Sequence, residues 1–170
     1  MLDKNVVALL NDQVNKEFYS AYLYLDFSNY CEAKGLDGFA NWYKVQAQEE
    51  RDHAMLFVQY LQNNGEKVVL EAIDKPAVEI AGPKEVLDEG LKHEQYVTSL
   101  IHAIYEAAYA VKDFRTMQFL DWFVKEQGEE ETNANDLISK MELFGSDPKS
   151  LYMLNSELAA RVHSAPSLVL

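Results

Sequence analysis

The chain has 170 residues, 48% hydrophobic and 25% charged with only 4 prolines, a composition that suits one folded domain and contains no low-complexity tract. Its 28 acidic residues against 15 Lys and Arg give a formal charge of −13, which repels nucleic acid and anionic membrane surfaces and concentrates cations. The single cysteine, Cys31, excludes an internal disulfide, and no apolar stretch approaches the roughly 18 residues of a membrane span.

The first predicted element runs from Leu2 to Lys34, with apolar residues at Val6, Leu10, Val14, Phe18 and Leu25 and Val7, Ala21 and Tyr22 beside them. The opening MLDKNVVALLND has a short apolar run and no small-residue cleavage site, so it reads as a helix of the mature protein and cytoplasm is the expected location. Gly35 stops this helix, and a second runs from Phe39 to Asn64 before Asn63-Asn64-Gly65 ends it. Residues 66–82 break the pattern, with turn signals at DKP and AGP. A third helix covers Lys84 to Lys112, and a fourth follows almost at once from Phe114 to Phe144, carrying Met117, Leu120, Val124, Leu137 and Met141. Asp147 and Pro148 open a short fifth helix to about His163, the one as cap and the other at the first helical position.

Helices of that length, roughly 40–50 Å at 1.5 Å per residue, must lie side by side in so small a chain. Short links pair helix one with two and helix three with four. The middle link is long enough to travel the length of the bundle. The expected fold is all-α: a four-helix bundle with one long crossover over residues 1–145, a short fifth helix over 146–163 and a tail over 164–170 that is either flexible or adds apolar contact after the fifth helix, one domain in all.

Each long helix places polar ligand types near mid-length. Helix one carries Glu17 and Tyr24, seven residues apart and hence near one face; helix two carries Glu50 and His53, an i,i+3 pair. Helix three contributes Glu94, and helix four Gln127 and Glu130. Buried carboxylates sharing one core repel one another and cost several kcal/mol each unless cations neutralise them, at roughly the scale of any unpaired buried charge. One imidazole among carboxylates suits iron, manganese or zinc. The spacing supports a dinuclear site in which Glu50 bridges, Glu17, His53, Glu94 and Glu130 are terminal ligands, Gln127 binds weakly or orients a metal-bound group, and Tyr24 donates a hydrogen bond or an electron. Taken singly, each of these residues has an ordinary reading as solvated surface or packing; their coincidence on four helices favours the metal site.

In these residues the chain resembles a bacterial non-haem ferritin over essentially its whole length: Glu17 and Tyr24, then Glu50-x-x-His53, then Glu94, then Gln127-x-x-Glu130. The resemblance implies a ferritin-like bundle that stores and detoxifies iron, with ferroxidase activity oxidising Fe²⁺ by dioxygen or hydrogen peroxide and ferric oxide deposited inside a protein shell. It implies a homo-oligomer of 24 subunits in octahedral symmetry, with the fifth helix lining the fourfold axis through Leu151, Leu154 and Leu158. It also assigns Glu49, Glu126 and Glu129 to a third iron site facing the cavity, although the run QGEEET (127–132) also reads as an acidic solvated stripe.

Departures from neighbouring families are as informative. A bacterioferritin has a second Glu-x-x-His on helix four and a haem-ligating methionine just before the helix-two histidine. Here those places hold Gln127-x-x-Glu130 and Asp52, so no haem is expected, and Met55 reads as core filler. A rubrerythrin needs paired Cys-x-x-Cys motifs that one cysteine cannot supply. Asp113 and Asp121 are candidates for an entry channel. The competing functions are a di-iron bundle that mainly consumes peroxide, with storage incidental, and a non-catalytic shell whose acids merely bind cations.

Overall fold

A computed structural model describes residues 2–170. Among them it has five α-helices and no strand: α1 (Lys4–Ala33), α2 (Asp37–Asn63), α3 (Pro83–Ala110), α4 (Phe114–Phe144) and α5 (Pro148–Leu158). Asp3 caps α1 by accepting from the N–H groups of Asn5 and Val6, Asp113 caps α4 through Thr116, and Asp147 caps α5 through Ser150. Asp113 is therefore occupied at a helix start, and Asp121 accepts from the Tyr105 hydroxyl at 3.0 Å. Gly35 and Gly65 take the positive φ values of 71° and 73° that let the chain turn out of α1 and α2.

The buried line of each helix follows heptad spacing, the pattern of a left-handed bundle. On α1 it passes through Val6, Leu10, Gln13, Glu17, Ser20, Tyr24, Phe27 and Cys31; on α2 through Phe39, Tyr43, Gln46, Glu50, His53, Phe57 and Tyr60. Polar residues occupy the middle of the line, so counting apolar residues alone rotates the apparent core face. Tyr22, Leu25 and Val124, expected in the core, are 51%, 43% and 39% exposed, and Met55 also faces outward.

Two apolar layers result, with the polar residues between them. One holds Val6, Leu10, Phe57, Ile101, Phe119 and Phe123; the other holds Phe27, Phe39, Tyr43, Leu87, Leu137 and Met141. α1 and α4 run from the first layer to the second, and α2 and α3 run the opposite way. Residues 65–82 carry the chain between α2 and α3. Asn11 fixes this crossover by donating to Lys67 O at 3.2 Å and accepting from Val69 N at 2.7 Å, while Asn15 donates to Ala72 O at 3.0 Å.

The fifth helix ends at Leu158, earlier than the expected His163, because α2 intercepts it. Asn41 donates to the carbonyls of Leu158, Ala159 and Arg161, which a longer helix would have used itself. In return the Asn155 side-chain oxygen accepts from Gly38 N at 2.9 Å and Phe39 N at 3.2 Å, at the start of α2. Leu154 and Leu158, expected at an intersubunit axis, are buried against the chain's own second layer; Tyr152 and Met153 are the large apolar residues that α5 leaves exposed. No helix among the described residues is long and apolar enough to cross a membrane.

Candidate metal centre

Between the two apolar layers, the heptad lines of all four long helices turn polar at the same level. Glu17, Glu50, His53, Glu94, Gln127 and Glu130 are all buried there, and Tyr24 lies one heptad along from Glu17. Glu17, Glu50 and His53 each offer one ligand atom such that the three atoms lie within 4.8 Å of one another. His53 stands one turn after Glu50, with its Nδ1 3.7 Å from Glu50 Oε2. Phe123 and Trp122 pack edge-on against the imidazole and hold it.

Glu94 occupies the opposite part of the layer. Tyr24 donates its hydroxyl to Glu94 Oε1, and Gln127 Nε2 donates to Glu94 Oε2 at 3.1 Å, so α1 and α4 grip the α3 carboxylate from both sides. Tyr24, Gln46, Glu94 and Glu130 line one cleft, linking the two halves of the layer. Tyr24 also stacks on Tyr43 and meets His93 edge-on.

Two glutamines escaped the sequence reading. Gln13 Nε2 donates to Glu17 Oε1 at 2.8 Å, and Gln46 Nε2 donates to Glu50 Oε1 at 3.2 Å. The signal was present as one repeated spacing: Gln-x-x-x-Glu at 13–17 and again at 46–50 puts an amide one turn before each carboxylate. After this, Glu17 Oε2 still has no hydrogen-bond partner among the described residues, although it is fully buried. A bare carboxylate oxygen beside an imidazole and a second carboxylate is the arrangement a cation satisfies.

The electrostatics agree with that reading. Burial, then the neighbouring Glu50 charge, raises Glu17 to about 8. Burial and the Glu130 charge likewise raise Glu50 to about 8. Burial also raises Glu130, and with Glu50 it raises Glu94 well above the ordinary carboxylate range. Without a cation the layer holds protons; a cation replaces them.

Glu49, Glu126 and Glu129 lie outside this layer, on the adjoining surface. They share a groove with Glu130, Arg161 and residues 164–167. The Arg161 guanidinium pairs with Glu49 Oε2 at 2.5 Å, and Lys125 pairs with Glu129 at 3.1 Å. Burial raises the pKa of Glu49 and Arg161 opposes it; burial also raises Glu126. Arg161 was not singled out in the sequence, because nothing local connects it to a helix 112 residues away.

Residues 7–144 match the family model for the ferritin-like domain. The chain is 39% identical over 158 residues to a probable bacterial non-heme ferritin-like protein of Haemophilus influenzae, covering 93% of this chain and 96% of that protein. It is 38% identical over 161 residues to a bacterial non-heme ferritin of Staphylococcus epidermidis, covering 95% and 97%. Among solved structures it is similar to a closed form of the Archaeoglobus fulgidus ferritin engineered by site-directed mutagenesis, with a TM-score of 0.94, 41% identity and coverage of 96% and 100%. It is similar also to the open-pore ferritin of that archaeon, at a TM-score of 0.93, 41% identity and coverage of 95% and 100%.

Proposed function

The chain belongs to the ferritin family, and on that premise we propose that it is an iron-storing ferroxidase whose dinuclear centre is the polar layer of the bundle. The observation that carries this is the fully buried Glu17 Oε2, left without a hydrogen bond beside Glu50 and His53. Without a cation the two carboxyls can satisfy each other only by sharing a proton, whereas a cation satisfies Glu17, Glu50 and His53 at once.

Two Fe²⁺ ions enter as substrate, with Glu50 between them, Glu17 and His53 on one and Glu94 and Glu130 on the other. Gln13 and Gln46 each hold one oxygen of Glu17 and Glu50, leaving the second free to face a cation. Binding displaces the protons that burial keeps on these carboxyls, so uptake of iron releases acid. Each Fe²⁺ gives one electron to dioxygen or hydrogen peroxide. With peroxide, two electrons and two protons yield two waters; with dioxygen, the same two electrons and two protons yield one hydrogen peroxide. Tyr24, already donating to Glu94, is placed to orient that carboxylate and Gln127 to steady it. Glu49, Glu126 and Glu129 form the third, cavity-facing site, through which the ferric product moves inward to mineralise.

The assembly is a shell of 24 subunits in octahedral symmetry, located in the cytoplasm. Exposed Leu70, Tyr109, Phe114, Leu143 and Tyr152, each about 70% exposed or more, supply apolar surface for subunit contacts.

Aerobic oxidation of two Fe²⁺ per chain, followed by ferric absorbance and oxygen uptake, tests this in wild type and Glu50→Ala once both are shown to fold and assemble. A loss on the order of a hundredfold is expected, the upper end of what even indirect metal-site partners contribute. Equal, slow rates in both would leave an inert cation-binding shell as the better account.

A further inference from the structure

Beyond α5 the chain does not leave the bundle. Arg161 lays its guanidinium over the Trp42 ring, 4.0 Å from the centroid, and donates to Glu49 Oε2 at 2.5 Å and to Gln46 Oε1 at 2.8 Å. Its backbone carbonyl is held by Asn41 at 2.9 Å. His163 Nε2 then meets Asp52 Oδ2 at 2.8 Å, and Trp122 Nε1 donates to Ser167 Oγ at 2.9 Å. Leu168 closes the run by packing on the first apolar layer. Residues 161–168 are thus a strap across α2 and α4, immediately over the groove that contains Glu49, Glu126 and Glu129.

Arg161 has only donors, so it fixes the Gln46 amide with its oxygen outward and its Nε2 toward Glu50. The same guanidinium neutralises Glu49, with only 16% and 17% of the two side chains exposed. A metal ion that takes Glu49 as a ligand needs the lone pairs that Arg161 holds.

We propose that Arg161 is an internal competitor for the cavity-side cation: its guanidinium occupies Glu49 until a metal ion displaces it, and the 161–168 strap loosens when that happens. The inference rests on the assignment of Glu49 to the third site made above. The Arg161 side chain also reaches the dinuclear layer through Gln46, so the strap touches both sites. The competitor weakens the outer site, so iron is held there only in transit, and it restores the Glu49 charge balance whenever the site empties.

The test is calorimetric titration of the metal-free, full-length assembly with Zn²⁺, on wild type, Glu49→Gln, Arg161→Gln and Arg161→Lys. Wild type is expected to show a tight class of sites and a weaker one that Glu49→Gln removes. Arg161→Gln should tighten the weaker class on the order of tenfold, the worth of one charge-assisted hydrogen bond, and any change in the tight class reports the lost Gln46 contact separately. Arg161→Lys retains the charge but cannot hold Glu49 and Gln46 together, and should fall between. Hydrogen exchange supplies a second readout: amides of residues 161–168 should exchange faster once wild type is saturated with Zn²⁺. If the weaker class exists and Arg161→Gln leaves it unchanged, or the strap stays protected at saturation, the competition is refuted while the third site stands. If Glu49→Gln removes no class of sites, the third-site assignment and the competition both fall.

Discussion

Replacing Glu50 by glutamine should make the metal-free protein more stable above neutral pH while removing the carboxylate proposed to bridge the two irons. Burial holds Glu50 at about 8, against 4.5 for the free side chain, so between those values the folded chain keeps a proton that the unfolded chain has released. A raised folded pKa means that stability is complete below about pH 4.5 and falls as pH rises toward 8. At 1.36 kcal/mol per pH unit, the loss between pH 5 and pH 7 is about 2–3 kcal/mol for one such group. Glutamine reproduces the protonated carboxyl, retains an acceptor for Gln46 Nε2, and does not titrate. Guanidinium unfolding in chelator, at one protein concentration because assembly shifts the midpoint, should show wild type weakening from pH 5 to pH 7.5 and Glu50→Gln weakening less. Glu17 keeps a similar dependence in the variant, so a residual slope is expected. Adding Zn²⁺ should reverse the ranking. A wild-type curve that is flat or rising over this range would show that the layer is not protonated as described.

A Cβ added at Gly38 would lie 1.6 Å from the Asn155 carbonyl oxygen, so Gly38→Ala should push α5 off α2 at a cost of about 2 kcal/mol or more, read by chemical unfolding and by faster exchange of α5 amides. Asn155→Ala removes the acceptor for Gly38 and Phe39 N–H and should cost about 1 kcal/mol; combined with Gly38→Ala its effect should be less than additive, since both break one contact. Phe57→Ala opens a hole where three aromatic rings meet and should cost about 3–5 kcal/mol, with no change in Zn²⁺ stoichiometry at 25 °C; lost stoichiometry would mean that this layer positions the ligands directly.

The helices were legible because periodicity and stop residues are local: Gly35, Gly65 and Asp147 stand at the ends they signal. Register was less so. Glu17 and Glu50 sit on the buried heptad line while Leu25 and Tyr22 lie off it, and a reading that rewards apolar residues follows the wrong stripe. Glu17, Glu50 and His53 come within 4.8 Å of one another, and Tyr24 and Gln127 meet Glu94, because the apolar layers on either side fix the relative heights of the four helices. The end of α5 and the place of Arg161 were illegible. Both depend on α2 side chains, Asn41, Gln46 and Glu49, that meet residues more than a hundred positions later.

That difference separates two kinds of specification in this chain. The inner layer is set by heptad positions, so each of its polar residues replaces an apolar one and gives up stability at that place. The flanking aromatic cluster of Phe57, Phe119 and Phe123, with Tyr60 stacked on Phe119 at 4.0 Å, offsets that loss close to where it arises. The outer groove costs little by comparison, because Glu49 and Glu129 keep part of their solvent and Arg161 and Lys125 neutralise them. It follows that the metal-free chain is strained at the inner layer and relaxed at the outer one. Cations should therefore fill the inner layer first, where relief is greatest. The outer acids, already paired, should bind last and release first, which suits residues that pass a product onward.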